Sequence, residues 1–277
     1  MSTELGADPT ALRSPFRVDA NAGRVALITG GGTGIGRASA LELAATGADI
    51  VICGRREEPL QSTAQQLERA GANCLAIPAD IREPEQAEQV IDGALERFGR
   101  IDVLVNNAGG QFSAAAEEIS DRGWRAVHRL AVDAAWTVTR TVAVRSMIPR
   151  RSGLIVFVGF TPLRGIPGFA HACAARAAVA NLAAGLALEW SRHRIRTVCL
   201  ALGSILTEGL AQYGEQTVER WRRAVPLGRL GTPEEVAGLI AFLATPAGGY
   251  ITGTTVAVDG GVDAWGLAEE PPEVPDD

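Results

Sequence analysis

Val25-Ala-Leu-Ile-Thr-Gly-Gly-Gly-Thr-Gly-Ile-Gly36 decides the fold. A short apolar run, Val25 to Ile28, meets a cluster of glycines. Beyond it, Ile35, Ala38, Leu41, Leu43 and Ala44 are apolar among polar positions, which is helical spacing. Strand, glycine turn and helix N-terminus together form a cradle for a pyrophosphate. Glycine lets the backbone approach the phosphates, and the helix N–H groups and dipole favour their negative charge.

Outward from this unit, apolar strands alternate with helical stretches. Strands are expected at 25–29, 50–53, 74–77, 103–105, 154–158, 196–200 and 255–258, and helices at 35–47, 60–70, 84–98, 121–148, 169–190 and 233–244. Such alternation predicts an α/β fold, a single Rossmann-type doubly wound domain with a seven-stranded parallel sheet and helices on both faces. Its ligands bind beyond the carboxyl ends of the strands. The domain is expected over 23–263, between a loose polar arm at 1–22 and an acidic, Pro-rich tail at 264–277 that Trp265 anchors. The longest irregular insert, 203–229, follows a strand's carboxyl end and is expected to be a substrate lid.

The 277 residues are 47% hydrophobic and 21% charged, which suits a soluble chain with a large core. No apolar run approaches the roughly 20 residues of a membrane span, and no signal core is present, so a cytoplasmic protein without a membrane partner is expected. The net charge of −6 and the lack of a basic run argue against nucleic acid. Cys53, Cys74, Cys173 and Cys199 are scattered without a CxxC pair, so free thiols and no metal site are expected. All 26 basic residues are arginine, so no step that needs a lysine ammonium operates here.

The glycine loop does not stand alone. Thr29-Gly-Gly-Gly-Thr-Gly-Ile-Gly36 resembles the TGxxxGIG loop of the short-chain dehydrogenase/reductase family, and Asn106-Asn-Ala-Gly109 its NNAG. Ala79-Asp80-Ile81, Gly203-Ser-Ile-Leu-Thr207 and Asp259-Gly-Gly261 are similar to further family segments, so the resemblance spans residues 23–261. It implies that Gly30, Thr33, Gly34, Ile35 and Gly36 cradle the pyrophosphate and that Asp80 and Ile81 flank the adenine. It further implies that Asn107, Ala108 and Gly109 line the adenosine ribose, with Arg176, Gly203, Ile205 and Thr207 on the nicotinamide side. Independently of the family, Cys53-Gly-Arg-Arg56 ends the second strand without the carboxylate that NAD-specific folds place there. Arg55 and Arg56 are suited to a 2′-phosphate, so NADP(H) is expected over NAD(H).

Family members that interconvert alcohols and ketones use Asn, Ser, Tyr and Lys. The matching positions here hold Ala131, Gly159, Ala172 and Arg176, so all four depart. Alanine supplies no acid for an alkoxide, and a permanently charged arginine shuttles no proton. Reduction of a C=C bond conjugated to a thioester asks less, because donors need only hold an enolate oxygen. Gly109-Gly-Gln-Phe112, Ala170-His-Ala-Cys-Ala-Ala-Arg-Ala177, Leu186-Ala-Leu-Glu-Trp190 and Pro233-Glu-Glu-Val236 resemble the peroxisomal trans-2-enoyl-CoA reductase branch. The expected activity is thus NADPH-dependent reduction of a 2-enoyl-CoA or similar alkene, with Thr161, His171, Arg176 and Tyr213 as candidate catalytic residues. Two other readings stay open: a dinucleotide binder without redox chemistry, and a ketone reductase with a relocated acid such as Tyr213. Arg164 is a candidate for a CoA phosphate, and the resemblance implies a homotetramer or homodimer.

Overall fold

A computed structural model describes residues 14–160 and 165–265. In chain order it contains β1 (Val25–Thr29), α1 (Gly34–Ala45), β2 (Asp49–Gly54), α2 (Glu57–Arg69), β3 (Cys74–Pro78), α3 (Pro84–Phe98) and β4 (Val103–Asn106). Next come α4 (Asp121–His128), α5 (Ala135–Val142), α6 (Ile148–Arg150), β5 (Gly153–Phe160), α7 (Ala170–Trp190) and β6 (Ile195–Leu202). The chain continues with α8 (Glu215–Arg223), α9 (Pro233–Ala244), β7 (Thr254–Val258) and α10 (Val262–Trp265). The strands pair in the order β3-β2-β1-β4-β5-β6-β7, all parallel. The order reverses between β1 and β4, so their carboxyl ends open a crevice there.

The central strands read as unbroken apolar runs because helices bury both faces, whereas the edge strands β3 and β7 are only partly covered. Val25, Leu27 and Val51 pack with Val90 of α3, Val138 of α5 and Val179 of α7. Their neighbours Ala26, Ile28 and Ile50 pack with Leu43 of α1, Leu67 of α2 and Ile240 of α9. At the amino end of the sheet, Asp102 is 3% exposed. It accepts hydrogen bonds from the Val25 N–H at 2.9 Å and Arg100 Nε at 2.8 Å, and it pairs with Arg150.

Four expectations are corrected. The 121–148 stretch is not one regular α-helix: π turns at Arg129–Ala134 and Ala143–Met147 separate α4, α5 and α6. Apolar spacing does not distinguish the two kinds of turn, since both continue one rod. The 203–229 insert is not irregular throughout; it folds into a 3₁₀ turn, Glu208–Tyr213, followed by α8. That helix escapes notice because it is short and polar, with Val218 and Trp221 its only large apolar side chains.

The arm is not loose over its described part. The Asn21 N–H donates to the Thr46 carbonyl at 2.7 Å, and its Nδ2 donates to Thr46 Oγ1 at 2.9 Å and Ala241 O at 3.3 Å. Ser14 Oγ donates to Glu42 at 2.6 Å. Residues 1–13 and 266–277 lie outside the described residues. Asn21→Ala removes the two side-chain bonds, and urea denaturation is expected to register a loss of about 1–2 kcal/mol. An unchanged midpoint would mean that this anchor does not matter to stability.

Finally, Ala170–His193 is long and apolar enough to cross a membrane by length and composition. Alanine raises its mean hydropathy, but Val179, Ala183 and Leu186 are buried in the core beside Ile155 and Cys199 of β5 and β6.

Candidate active site

Thr29 ends β1 and ties the glycine loop to β4. Its Oγ1 accepts from the N–H groups of Asn107 and Ala108, each at 3.0 Å. Asn107 Nδ2 returns a bond to the Thr29 carbonyl at 2.9 Å. Gly30 has φ +69°, and a Cβ there would lie 2.9 Å from Asn107 Nδ2. At Gly36 a Cβ would sit 2.2 Å from the Gly30 carbonyl oxygen, so helix and loop meet without a side chain between them. The helix behind the loop lacks a cap of its own: Thr33 makes no side-chain cap bond, and the first turn holds no acidic residue.

A groove of about 330 Å³ runs along this loop. Gly30, Thr33, Gly34 and Ile35 line it on one side, Asn107, Ala108 and Gly109 on another, and Arg55, Arg56, Asp80 and Ile81 at the far end. Gly36 lies beneath the loop and does not line the groove. Arg55 and Arg56 are exposed. Asp80 is engaged by Arg82, whose Nε donates at 2.9 Å; that bond, helped by the Asp80–Arg82 backbone contact, holds the carboxyl below its usual range despite partial burial.

The groove continues past Ile35, Asn107, Gly109 and Thr207 into a cavity of about 580 Å³. Gly203, Ile205, Thr207 and Arg176 line this cavity, with Gly159 at the end of β5. Arg176 Nη1 donates to the Val158 carbonyl at 2.7 Å, and a Cβ on Gly109 would fall 2.2 Å from its Nη2. Burial lowers the Arg176 pKa from its very high ordinary value. Beyond these residues the walls are apolar and aromatic: Phe160, Ile166, Phe169, Leu210 and Trp221.

The candidate catalytic residues separate. Tyr213 lines the cavity with Arg176. His171 does not; it is fully buried, stacked on Phe112 at 4.2 Å, with neither ring nitrogen hydrogen-bonded among the described residues. Burial, and then His128, lowers its pKa, so it rests as a neutral ring away from the cavity. The helical period explains the miss, because His171 and Ala172 both turn inward at the first turn of α7. Ala131 and Ala172 are buried together in an apolar cluster and do not line the cavity. Thr161 and Arg164 lie outside the described residues.

The chain as a whole is similar to known proteins. Residues 30–263 match the family model described as enoyl-(acyl carrier protein) reductase. A probable 2,4-dienoyl-CoA reductase of Bacillus subtilis is 35% identical over 243 residues, covering 86% of this chain and 96% of the relative. A 3-oxoacyl-[acyl-carrier-protein] reductase FabG of Chlamydia muridarum is 35% identical over 241 residues, with coverages of 86% and 97%. Among solved structures, a short-chain type dehydrogenase/reductase from Mycobacterium marinum superposes with a TM-score of 0.83 at 30% identity, covering 88% of this chain and 97% of that one. The chain belongs to the short-chain dehydrogenase/reductase family. A putative NAD(P)-dependent gluconate 5-dehydrogenase from Beutenbergia cavernae, solved with bound NADP, gives 0.81 at 34% identity, covering 93% and 100%.

For a short-chain dehydrogenase/reductase, the residues present fit a dinucleotide. The loop has space only for glycine at positions 30 and 36, and the end of α1 offers its backbone N–H groups. Sequence reasoning missed three groups around the site. Leu130, from the first π turn, lines the groove. Gln111 lines the cavity, and its position just after Asn106–Gly109 was the signal that marked it. Glu208 also lines the groove; Arg37 Nη2 donates to its Oε1 at 2.7 Å. The carboxyl of Glu208 is held below its ordinary range, first by its own backbone N–H and then by Arg37 and the Gly34 backbone.

Proposed function

We propose that this short-chain dehydrogenase/reductase is an NADPH-dependent reductase of the C=C bond in a 2-enoyl thioester such as an acyl-CoA. One observation carries the reading. The positions that would supply a proton to an alkoxide are filled by Gly159 and the buried Ala172, while an apolar cavity suited to an acyl chain lies open beside Arg176. The relative named as a 2,4-dienoyl-CoA reductase supports the same substrate class. Reduced nicotinamide supplies the hydride. Arg176 would take the hydrogen-bonding place of a lysine beside the nicotinamide ribose, and Gly203, Ile205 and Thr207 would border the ring. The aromatic walls exclude water from the acyl chain. Following NADPH absorbance with crotonyl-CoA, acetoacetyl-CoA and no acyl-CoA tests the reading; faster turnover of the ketone would overturn it. The FabG relative favours that ketone alternative.

Cofactor preference rests on Arg55 and Arg56, which flank the groove with no acidic residue at the end of β2. The double substitution Arg55→Ala, Arg56→Ala is expected to weaken NADPH binding at least tenfold, roughly the 1.5–3 kcal/mol of one charged hydrogen bond. NADH binding should hardly change. Fluorescence titration of both cofactors decides, and equal losses for the two would sink the assignment.

A homo-oligomer is part of the same proposal. Trp124, Trp136 and Val144 on the α4–α6 rod and Leu188 on α7 are large apolar side chains left exposed. Sedimentation showing a monomer at micromolar concentration would remove it.

A further inference from the structure

The cavity holds few hydrogen-bond donors that are free. Arg176 Nη1 is spent on the Val158 carbonyl, Asn107 Nδ2 on the Thr29 carbonyl, and Gln212 Nε2 on the Gly209 carbonyl at 2.9 Å. Ser204 and Thr207 line the cavity in the stretch that would border a nicotinamide. Gln111 and Tyr213 also line the cavity, which they share with Phe160, Phe169 and Trp221.

Tyr213 is the unusual member of this pair. Its hydroxyl is buried and donates to no acceptor among the described residues, and the Gln111 side chain is near enough to act on it. Yet its ring is held firmly. Trp221 of α8 packs against it edge-on at 5.0 Å, and Phe169, just before α7, at 5.8 Å. Phe169 and Trp221 also meet each other, at 6.3 Å. Two aromatic rings from separate segments therefore fix one phenol in position. A hydroxyl removed from water without a partner is destabilising until an acceptor reaches it. Rigid placement of an unsatisfied donor is the preorganisation that a developing negative oxygen requires.

We propose that the Tyr213 hydroxyl, with the Gln111 amide beside it, donates to the carbonyl oxygen of the substrate thioester and holds the enolate formed there. This deepens the enoyl reduction argued above and rests on it. The β-carbon accepts hydride from the reduced nicotinamide dinucleotide, and the C=C electron pair moves onto the carbonyl oxygen. That oxygen keeps its charge against the Tyr213 O–H, which does not give up its proton. The α-carbon then takes one proton from water as the carbonyl re-forms. Two electrons and one hydrogen leave the dinucleotide, which is oxidised, and the alkene gains two hydrogens. Burial raises the Tyr213 pKa, with Gln111 opposing, so the phenol stays protonated through the neutral range and serves as a donor.

The test is Tyr213→Phe, which keeps the ring and its aromatic neighbours. NADPH affinity should stay within twofold of the parent, showing an intact fold and groove. Expected are a fall in kcat with crotonyl-CoA of about a hundredfold, the usual scale for one lost oxyanion donor, and about tenfold weaker butyryl-CoA binding by calorimetry without cofactor. Parental kcat in Tyr213→Phe would overturn the proposal and leave enoyl reduction standing. If the parent reduces no enoyl thioester, the enoyl reading fails and calorimetry alone judges Tyr213. Equal butyryl-CoA affinity in the two proteins, or none in either, would then overturn the assignment.

Discussion

Asp102→Ala is expected to destabilise the protein by roughly 3 kcal/mol, the lower part of the range for breaking a buried charge cluster. The substitution leaves the Val25 N–H without its acceptor at the start of β1 and uncouples Arg100 and Arg150. Both arginines reach water, with side chains 45% and 28% exposed, so the loss stays below that of two stranded charges. Asp102→Asn keeps an acceptor for Val25 and should lose about half as much. Urea melts of the three proteins measure this, and a loss under about 1 kcal/mol for alanine would show that the cluster is ornamental. The site lies at the opposite end of the sheet, so NADPH affinity of the folded variant should not change.

Gly36→Ala is expected to act at the other end. The added methyl would lie 2.2 Å from the Gly30 carbonyl oxygen and 2.5 Å from Asn107 Nδ2. The first contact is backbone on backbone, so no rotamer relieves it and α1 must shift away from the loop. Dinucleotide binding should fall more than a hundredfold, with about 1–3 kcal/mol of stability lost as well. Gly238→Ala is the control, because a Cβ there meets nothing within 4 Å on α9. It should leave binding alone and add up to about 1 kcal/mol of helix stability. Titration with NADPH distinguishes them, and a Gly36→Ala protein that binds normally would refute the cradle.

Which parts of this could be read from the chain follows from how each part is held. The central strands were legible because Val25–Thr29 and its inner neighbours are covered on both faces, and burial on both faces writes an unbroken apolar run. Strand order was not written locally; it emerges when β1 receives β2 on one side and β4 on the other. The glycine loop was legible because Gly30 and Gly36 have no room for a side chain where the loop meets Asn107, so glycine recurs there in a recognisable spacing. The cavity walls were not, since Phe169, Leu210 and Trp221 come from segments far apart in the chain. His171 shows the limit most plainly. Its neighbour in sequence marks the active helix, but whether its ring faces a cavity or a phenylalanine depends on Phe112, nearly sixty residues earlier. Glu208 was passed over because its importance lies in Arg37.

That last contact bears on ligand binding. A carboxylate from the chain already rests against the helix end where a pyrophosphate would lie. A pyrophosphate arriving at that positive end would meet the Glu208 carboxylate together with its Arg37 partner. Glu208 opens the same 3₁₀ turn that ends in Tyr213. One short turn thus borders the phosphate groove with its first residue and the substrate cavity with its last.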